Sequence, residues 1–385
     1  MSTPSSPVRF SLWPTQDGRR IGVATLDAEG SLNALTLAMI EALDQQLTAW
    51  EHDDSVVAVW LEGAGDRAFC AGGDIVALYR ALQGEAATAR DYVVRYFSAE
   101  YALDYRLHTY PKPLLAWGDG IVMGGGMGLL AGARHRLVTE RSRLAMPEIS
   151  IGLYPDVGAS WFLNRMPPGI GAYLALTGAQ LNARDALDLG LADQLVPAQR
   201  RDALIDELCR ADYGASGDLL AHDRAICTAL AAVADRDLAP RAQLWPWRDH
   251  LQQLTSAADA AQASAAILAD PEQDEWLVAN RRRLAEGCPL TAQLAWGMLR
   301  RHRHASLSEA LRDELSLSLR CCLEGDLAEG VRALLIDKDK RPRWSHPEVA
   351  SVPAAQVDAM LRSVWQEEHH PLVALGREGD SVTGG

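Results

Sequence analysis

The chain has 385 residues, 48% of them hydrophobic and 23% charged, an ordinary globular composition that excludes disordered, collagenous and low-complexity classes. Thirty-seven basic against fifty-one acidic residues leave a net charge of −14, the wrong sign for a nucleic-acid binder. No run reaches the ~18 apolar residues of a membrane span, and residues 1–7 carry no apolar signal core, so a cytoplasmic protein with no membrane partner is expected.

Residues 21–26 (IGVATL) and 56–61 (VVAVWL) read as short buried strands. Between them Leu37, Ile40, Leu43, Leu47 and Trp50 recur at helical spacing, with Thr36 as a suitable N-cap. Residues 113–117 predict a further strand leading into Gly124-Gly125-Gly126. Residues 136–139 and 144–146 follow, then a turn region with Gly152 and Pro155. Strands alternating with helices predict an α/β fold. From Ala198 onward Ala, Leu, Arg, Asp and Glu dominate at three- and four-residue steps, as in 257–269 and 307–319. The chain thus divides into an α/β core, residues 1–200, and a mainly helical region, 201–385, whose Gly/Ser/Thr-rich end (376–385) reads as frayed. Residues 198–275 carry no distinctive motif.

Two glycine-rich turns stand out, Ala68-Phe-Cys-Ala-Gly-Gly-Asp-Ile75 and Ile121-Val-Met-Gly-Gly-Gly-Met-Gly128. Each follows a strand signal and precedes a helical one. Glycine at such a junction lets the backbone approach a ligand and leaves the first helical N–H groups pointing outward. One turn alone reads as tight packing. Two in one core favour a pair of amides aimed at a single oxygen, an oxyanion hole. A dinucleotide fingerprint is weak: Gly118 and Gly120 start one, but Gly124 falls one residue late, although Glu140 lies near the ribose spacing.

Glu148 and Asp156 stand eight residues apart in an otherwise apolar segment, where desolvated carboxyls can serve as acid, base or nucleophile. Asp156 also reads as a plain helix N-cap, as does Asp74. Glu148, among Leu144, Met146, Ile149 and Ile151, has no such bland explanation. His302, His304, His369 and His370 lack a third ligand, so no metal site is expected. Asn280-Arg-Arg-Arg283 reads as a solvated helical face. No G-x-S-x-G elbow occurs, and Cys70 has no base nearby, which disfavours a Ser or Cys nucleophile. The six cysteines form no C-x-x-C pair and read as reduced and mostly structural.

Together these segments resemble the crotonase (enoyl-CoA hydratase/isomerase) superfamily over residues 10–200. The resemblance implies a spiral of β-β-α turns followed by helices, with an acyl-CoA thioester carbonyl held between the amides of Gly73 and Gly125. It implies coenzyme A contacts from Asn33, Ala34, Leu35, Cys70, Ala71 and Asp74. Hydratases of the family carry a glutamate at the position of Gly128 and another at Glu148. Only the second is present. Gly-Gly-Asp, Pro-Glu, Pro-Asp-Val-Gly and the segment Leu335-Ile-Asp-Lys-Asp-Lys-Arg-Pro-Arg-Trp344 make the chain most similar to the 3-hydroxyisobutyryl-CoA hydrolase family. The sequence departs from that pattern at Ala159-Ser160-Trp161. The resemblance then implies thioester hydrolysis, with Glu148 as nucleophile or base, Asp156 positioning the water or the acyl hydroxyl, and Glu100 contacting that hydroxyl. By spacing alone Glu100 could equally face solvent. No separate cofactor is expected, coenzyme A being part of the substrate, and a homo-oligomer is left open. The rival readings are a hydratase or dienoyl-CoA isomerase on the same fold, and a non-catalytic acyl-CoA-binding protein.

Overall fold

A computed structural model describes residues 7–214 and 218–377. The residues before the first strand and most of the frayed-end expectation, 378–385, lie outside the described residues. In chain order the first half runs β1 (Val8–Pro14), β2 (Arg20–Leu26), α1 (Leu37–Glu51), β3 (Val56–Gly63), β4 (Ala68–Cys70), α2 (Ile75–Leu82), α3 (Ala86–Thr109), β5 (Leu114–Gly118), β6 (Ile121–Met123), α4 (Gly125–Gly132), β7 (His135–Val138), β8 (Arg143–Ala145), α5 (Ala159–Phe162), α6 (Ile170–Thr177), β9 (Leu181–Asn182), α7 (Ala183–Asp188) and β10 (Gln194–Leu195). The second half is helical: α8 (Arg201–Arg210), α9 (Leu219–Val233), α10 (Arg248–Leu254), α11 (Ala260–Leu268), α12 (Glu275–Glu286), α13 (Pro289–Arg301), α14 (Leu307–Glu324), α15 (Leu327–Val331) and α16 (Ala354–Met360).

From β3 to β8 successive strands alternate between two sheets. One has the order β1-β2-β3-β5-β7-β10, the other β4-β6-β8-β9. Each turn of the chain adds one strand to each sheet, β3 with β4, β5 with β6, β7 with β8, and the additions are parallel. This is the β-β-α spiral that the resemblance implies. The small-sheet strands β4, β6 and β8 have three residues each, too short to show a period. Strands β4 and β6 are legible only as the flanks of glycine turns.

Alternation along β3 explains how both faces of the large sheet are buried. Val56, Val59 and Leu61 face the main core, while Val57 and Trp60 face a second one with Leu115, Trp117 and Leu137. Helices α8 and α9 cover that second face through Leu204, Leu208, Ile226 and Leu230. The motif-free stretch after 198 therefore closes the sheet. Thr36 caps α1 by accepting the Met39 N–H at 3.2 Å. The solvated face expected at 280–283 is corrected at its first residue: Asn280 is fully buried, its amide donating to the Tyr173 hydroxyl at 3.3 Å.

Candidate active site

Three parallel neighbours of the small sheet, β4, β6 and β8, end side by side. The first continues into Ala71-Gly72-Gly73, the second into Gly124 and α4, the third into Pro147-Glu148. These junctions open on a cavity of about 260 Å³ whose wall includes Gly73, Gly125, Glu148, Asp156, Glu100 and Leu334. A larger, open groove of about 960 Å³ lies at the opposite ends of the same strands, beside Arg67, Gly120 and Arg143.

The two glycine loops touch. A Cβ on Gly125 would lie 3.4 Å from the Gly73 nitrogen and only 2.6 Å from Glu100 Oε1, so any side chain there would fill the cavity. Gly124 has φ +50°, a conformation that L side chains rarely adopt, and it turns the chain into α4. Gly73 is flanked by a parallel bridge to Leu35: the Leu35 N–H donates to the Gly72 carbonyl and the Asp74 N–H to the Leu35 carbonyl, both at 2.8 Å. That pattern turns the Gly73 N–H away from Leu35. Gly125 is the first residue of α4, where an N–H has no helical acceptor. Among the described residues neither N–H donates to a protein acceptor.

Glu148 opens a tight turn, Glu148–Ile151, that the Cys288 N–H at the start of α13 fastens through the Ile149 carbonyl at 2.9 Å. Glu100 comes from the middle of α3 and is 3% exposed, which overturns the solvent-facing reading. Asp156 is 4% exposed and its side chain caps no helix, which corrects the N-cap reading. It accepts instead from the Tyr101 hydroxyl at 2.6 Å. Asp74 is a cap, accepting the Ala77 N–H at 3.0 Å.

Of the residues that the resemblance assigns to coenzyme A, Ala71 lies on the cavity wall. Asn33 is fully buried and its amide donates to the Ala64 and Ala68 carbonyls at 3.0 and 2.9 Å. Leu35 and Cys70 are buried too, and burial pushes the Cys70 thiol up to about 12, far from a nucleophilic thiolate. Ala34 is half-buried on the same loop.

The carboxyls of the cavity differ in acidity. Burial, reinforced by the neighbouring Asp156 charge, holds Glu148 and Glu100 well above the usual carboxylate range. Burial raises Asp156 only to about 6, because the Tyr101 hydrogen bond favours its ionised form. Asp156 is therefore the carboxyl of the cavity that ionises most readily. Glu100 Oε1 and Glu148 Oε2 are buried without a hydrogen-bond partner. Buried polar atoms normally find one, so both carboxyls are set to engage something polar in the cavity.

Tyr101, Ser318 and Glu314, which support Asp156, escaped sequence reasoning. Their immediate neighbours in sequence do not mark them, because their partners lie 55 to 217 positions away. His302 takes a structural place, its Nδ1 2.8 Å from Ser160 Oγ and its Nε2 3.0 Å from Asp313. Among the described residues one trio, His135, Asp223 and Cys227, has metal-ligand geometry. It lies outside the cavity, and Arg134 already engages both Asp223 oxygens.

The β-β-α spiral, with two glycine loops meeting beside buried carboxyls, is that of a crotonase-fold protein. The family model for enoyl-CoA hydratase/isomerase matches residues 21–361, and the chain belongs to that family. It is 35% identical to 3-hydroxyisobutyryl-CoA hydrolase 1 of Arabidopsis thaliana over 354 residues, 90% of each chain. It is 34% identical to the mitochondrial 3-hydroxyisobutyryl-CoA hydrolase of Danio rerio, covering 91% of this chain and 89% of that one. Among solved structures, a carnitinyl-CoA dehydratase from Mycobacterium thermoresistibile superposes with a TM-score of 0.81 at 33% identity, covering 94% of this chain and 97% of the other. An enoyl-CoA hydratase from Rhodobacter sphaeroides gives 0.80 at 33% identity, with coverage of 92% and 97%.

Proposed function

We propose that this chain is a coenzyme A thioester hydrolase whose substrate is 3-hydroxyisobutyryl-CoA. The observation that carries the reading is the space in front of Gly128. A Cβ there would meet Asp104 Oδ1 at 2.7 Å and Val157 Cβ at 2.8 Å. No glutamate fits at the position where the family's hydratases hold their first one, so Glu148 works without that partner.

In this reading the thioester oxygen lies between the Gly73 and Gly125 amides, which stabilise the charge that develops as the carbonyl is attacked. The attacking oxygen belongs to Glu148 or to a water that Glu148 orients. Glu148 passes its proton, or the water's, to ionised Asp156. A C–O bond forms, the C–S bond breaks, and coenzyme A leaves as a thiolate that takes up a proton; where Glu148 attacks, water then cleaves the acyl–Glu148 anhydride, releasing the acid and restoring Glu148. One water is consumed overall. Glu100 contacts the acyl hydroxyl through its unpartnered Oε1. No separate cofactor enters this scheme.

Two buried carboxyls with unsatisfied oxygens speak against a protein that only stores acyl-CoA, since binding alone does not need them. The hydratase reading is favoured by the descriptions of the two solved relatives. Thiol release from a panel of acyl-CoA thioesters separates these readings. The hydrolase releases coenzyme A from 3-hydroxyisobutyryl-CoA and hydrates crotonyl-CoA poorly; efficient hydration without thiol release overturns the proposal. Among the described residues no helix is long and apolar enough to cross a membrane. A cytoplasmic location, checked by cell fractionation, completes the proposal.

A further inference from the structure

Asp156 is the one cavity carboxyl with a side-chain donor, and that donor is itself fixed from the far end of the chain. The Tyr101 hydroxyl lies 2.6 Å from Asp156 Oδ2 and 2.6 Å from Ser318 Oγ on α14. Ser318 Oγ is in turn 2.9 Å from the Tyr154 hydroxyl, which donates to the Glu314 carbonyl at 2.8 Å. Tyr101, Tyr154 and Ser318 are all buried to 1% exposure or less. Tyr154 gives its proton to the Glu314 carbonyl, and with the single Ser318 proton directed at the Tyr101 oxygen, the Tyr101 proton is left to point at Asp156.

The groups facing Asp156 are otherwise acidic or neutral. Helix α3 presents Tyr96, Glu100 and Asp104, the 148–151 turn presents Glu148, and α14 presents Glu314, Cys321 and Cys322. Without a favourable donor, a proton would serve Asp156 as well as it serves Glu148. We infer that Tyr101, pinned by Ser318, is a positioning residue that keeps the site's negative charge on Asp156 and so makes Asp156 the proton acceptor of the reaction. The inference rests on the hydrolase reading for its kinetic consequence, not for the hydrogen bond itself.

The test is Tyr101→Phe in the full chain, read in two ways. Thiol release from 3-hydroxyisobutyryl-CoA is followed from pH 5 to 9. The Asp156 carboxyl is titrated by difference infrared spectroscopy, its band assigned with Asp156→Asn. A hydrogen bond to an ionised acceptor is worth enough to move the acidic limb of kcat/KM up by about one to two pH units, with activity recovering at alkaline pH. The carboxyl band should shift by the same amount. Ser318→Ala should move both readouts the same way by less, and it carries the test if the phenylalanine variant does not fold. A uniform loss at every pH, with Asp156 titrating where it does in the wild type, overturns the inference and leaves Tyr101 as packing. If the wild type releases no thiol, the hydrolase reading fails, and the infrared titration alone decides the role of Tyr101.

Discussion

At the scale of single residues, burial sets the chemistry and also weakens the fold. The folded value of Asp156, about 6, lies above its ordinary 3.8. The folded state therefore binds this proton more tightly than the unfolded chain. Stability from this group is complete below the unfolded value and is lost as pH rises through about 6. Asp156→Asn should thus abolish turnover yet raise stability at pH 7 by about 1–3 kcal/mol, a gain that vanishes near pH 3.5. Denaturant melts at the two pH values check this. In the wild type, kcat/KM should climb as pH passes about 6, following Asp156 ionisation. Glu148→Gln keeps the shape of the turn but cannot attack or accept a proton, and turnover should fall ~10²-fold or more while ligand binding persists. Glu100→Ala should slow 3-hydroxyisobutyryl-CoA hydrolysis far more than isobutyryl-CoA hydrolysis. Loss of one uncharged hydrogen bond corresponds to about threefold to tenfold in that preference. Equal slowing of both substrates would leave the hydroxyl to be read elsewhere.

At the scale of elements, α14 holds the loop that carries Asp156. Val157 sits at φ +53°, a strained backbone for a β-branched residue. Glu314 offsets this by accepting the Gly158 N–H at 2.7 Å and the Ser160 N–H at 3.1 Å. Glu314→Ala would leave both buried donors unsatisfied, so a loss of about 2–5 kcal/mol is expected in urea unfolding, together with a fall in turnover. What the sequence made legible follows the same division between local and distant causes. Strands β2 and β3, helix α1 and its Thr36 cap depend on neighbours a few residues away, and they read directly. The edge strand β1 does not: its burial alternates poorly, and its register comes from pairing with β2. Glu148 was recognisable because its apolar neighbours are adjacent in sequence. Asp156 looked like a cap because Tyr101 and Ser318, which decide its role, are far along the chain.

At the scale of the whole molecule, an acidic protein has to receive an anionic ligand. Net charge is −14, yet two of the three lysines, Lys338 and Lys340, follow the turn Arg332–Ile336 whose Leu334 lines the cavity. Arg332 draws the neighbouring Asp337 and Asp339 to itself, at 2.6 and 2.8 Å, and pairs with Glu329 as well. Both lysines adopt left-handed backbone, φ +57° and +55°, and neither forms an ion pair among the described residues. Replacing both by alanine should raise KM for acyl-CoA roughly threefold to tenfold with little change in kcat, and wild-type KM should rise with added salt. The two glycine loops are made early in the chain, but Ser318, Glu314 and Leu334 are made late. The site is complete only in a chain that includes residues 314–334, so a protein truncated before α14 should lack activity even with both sheets present.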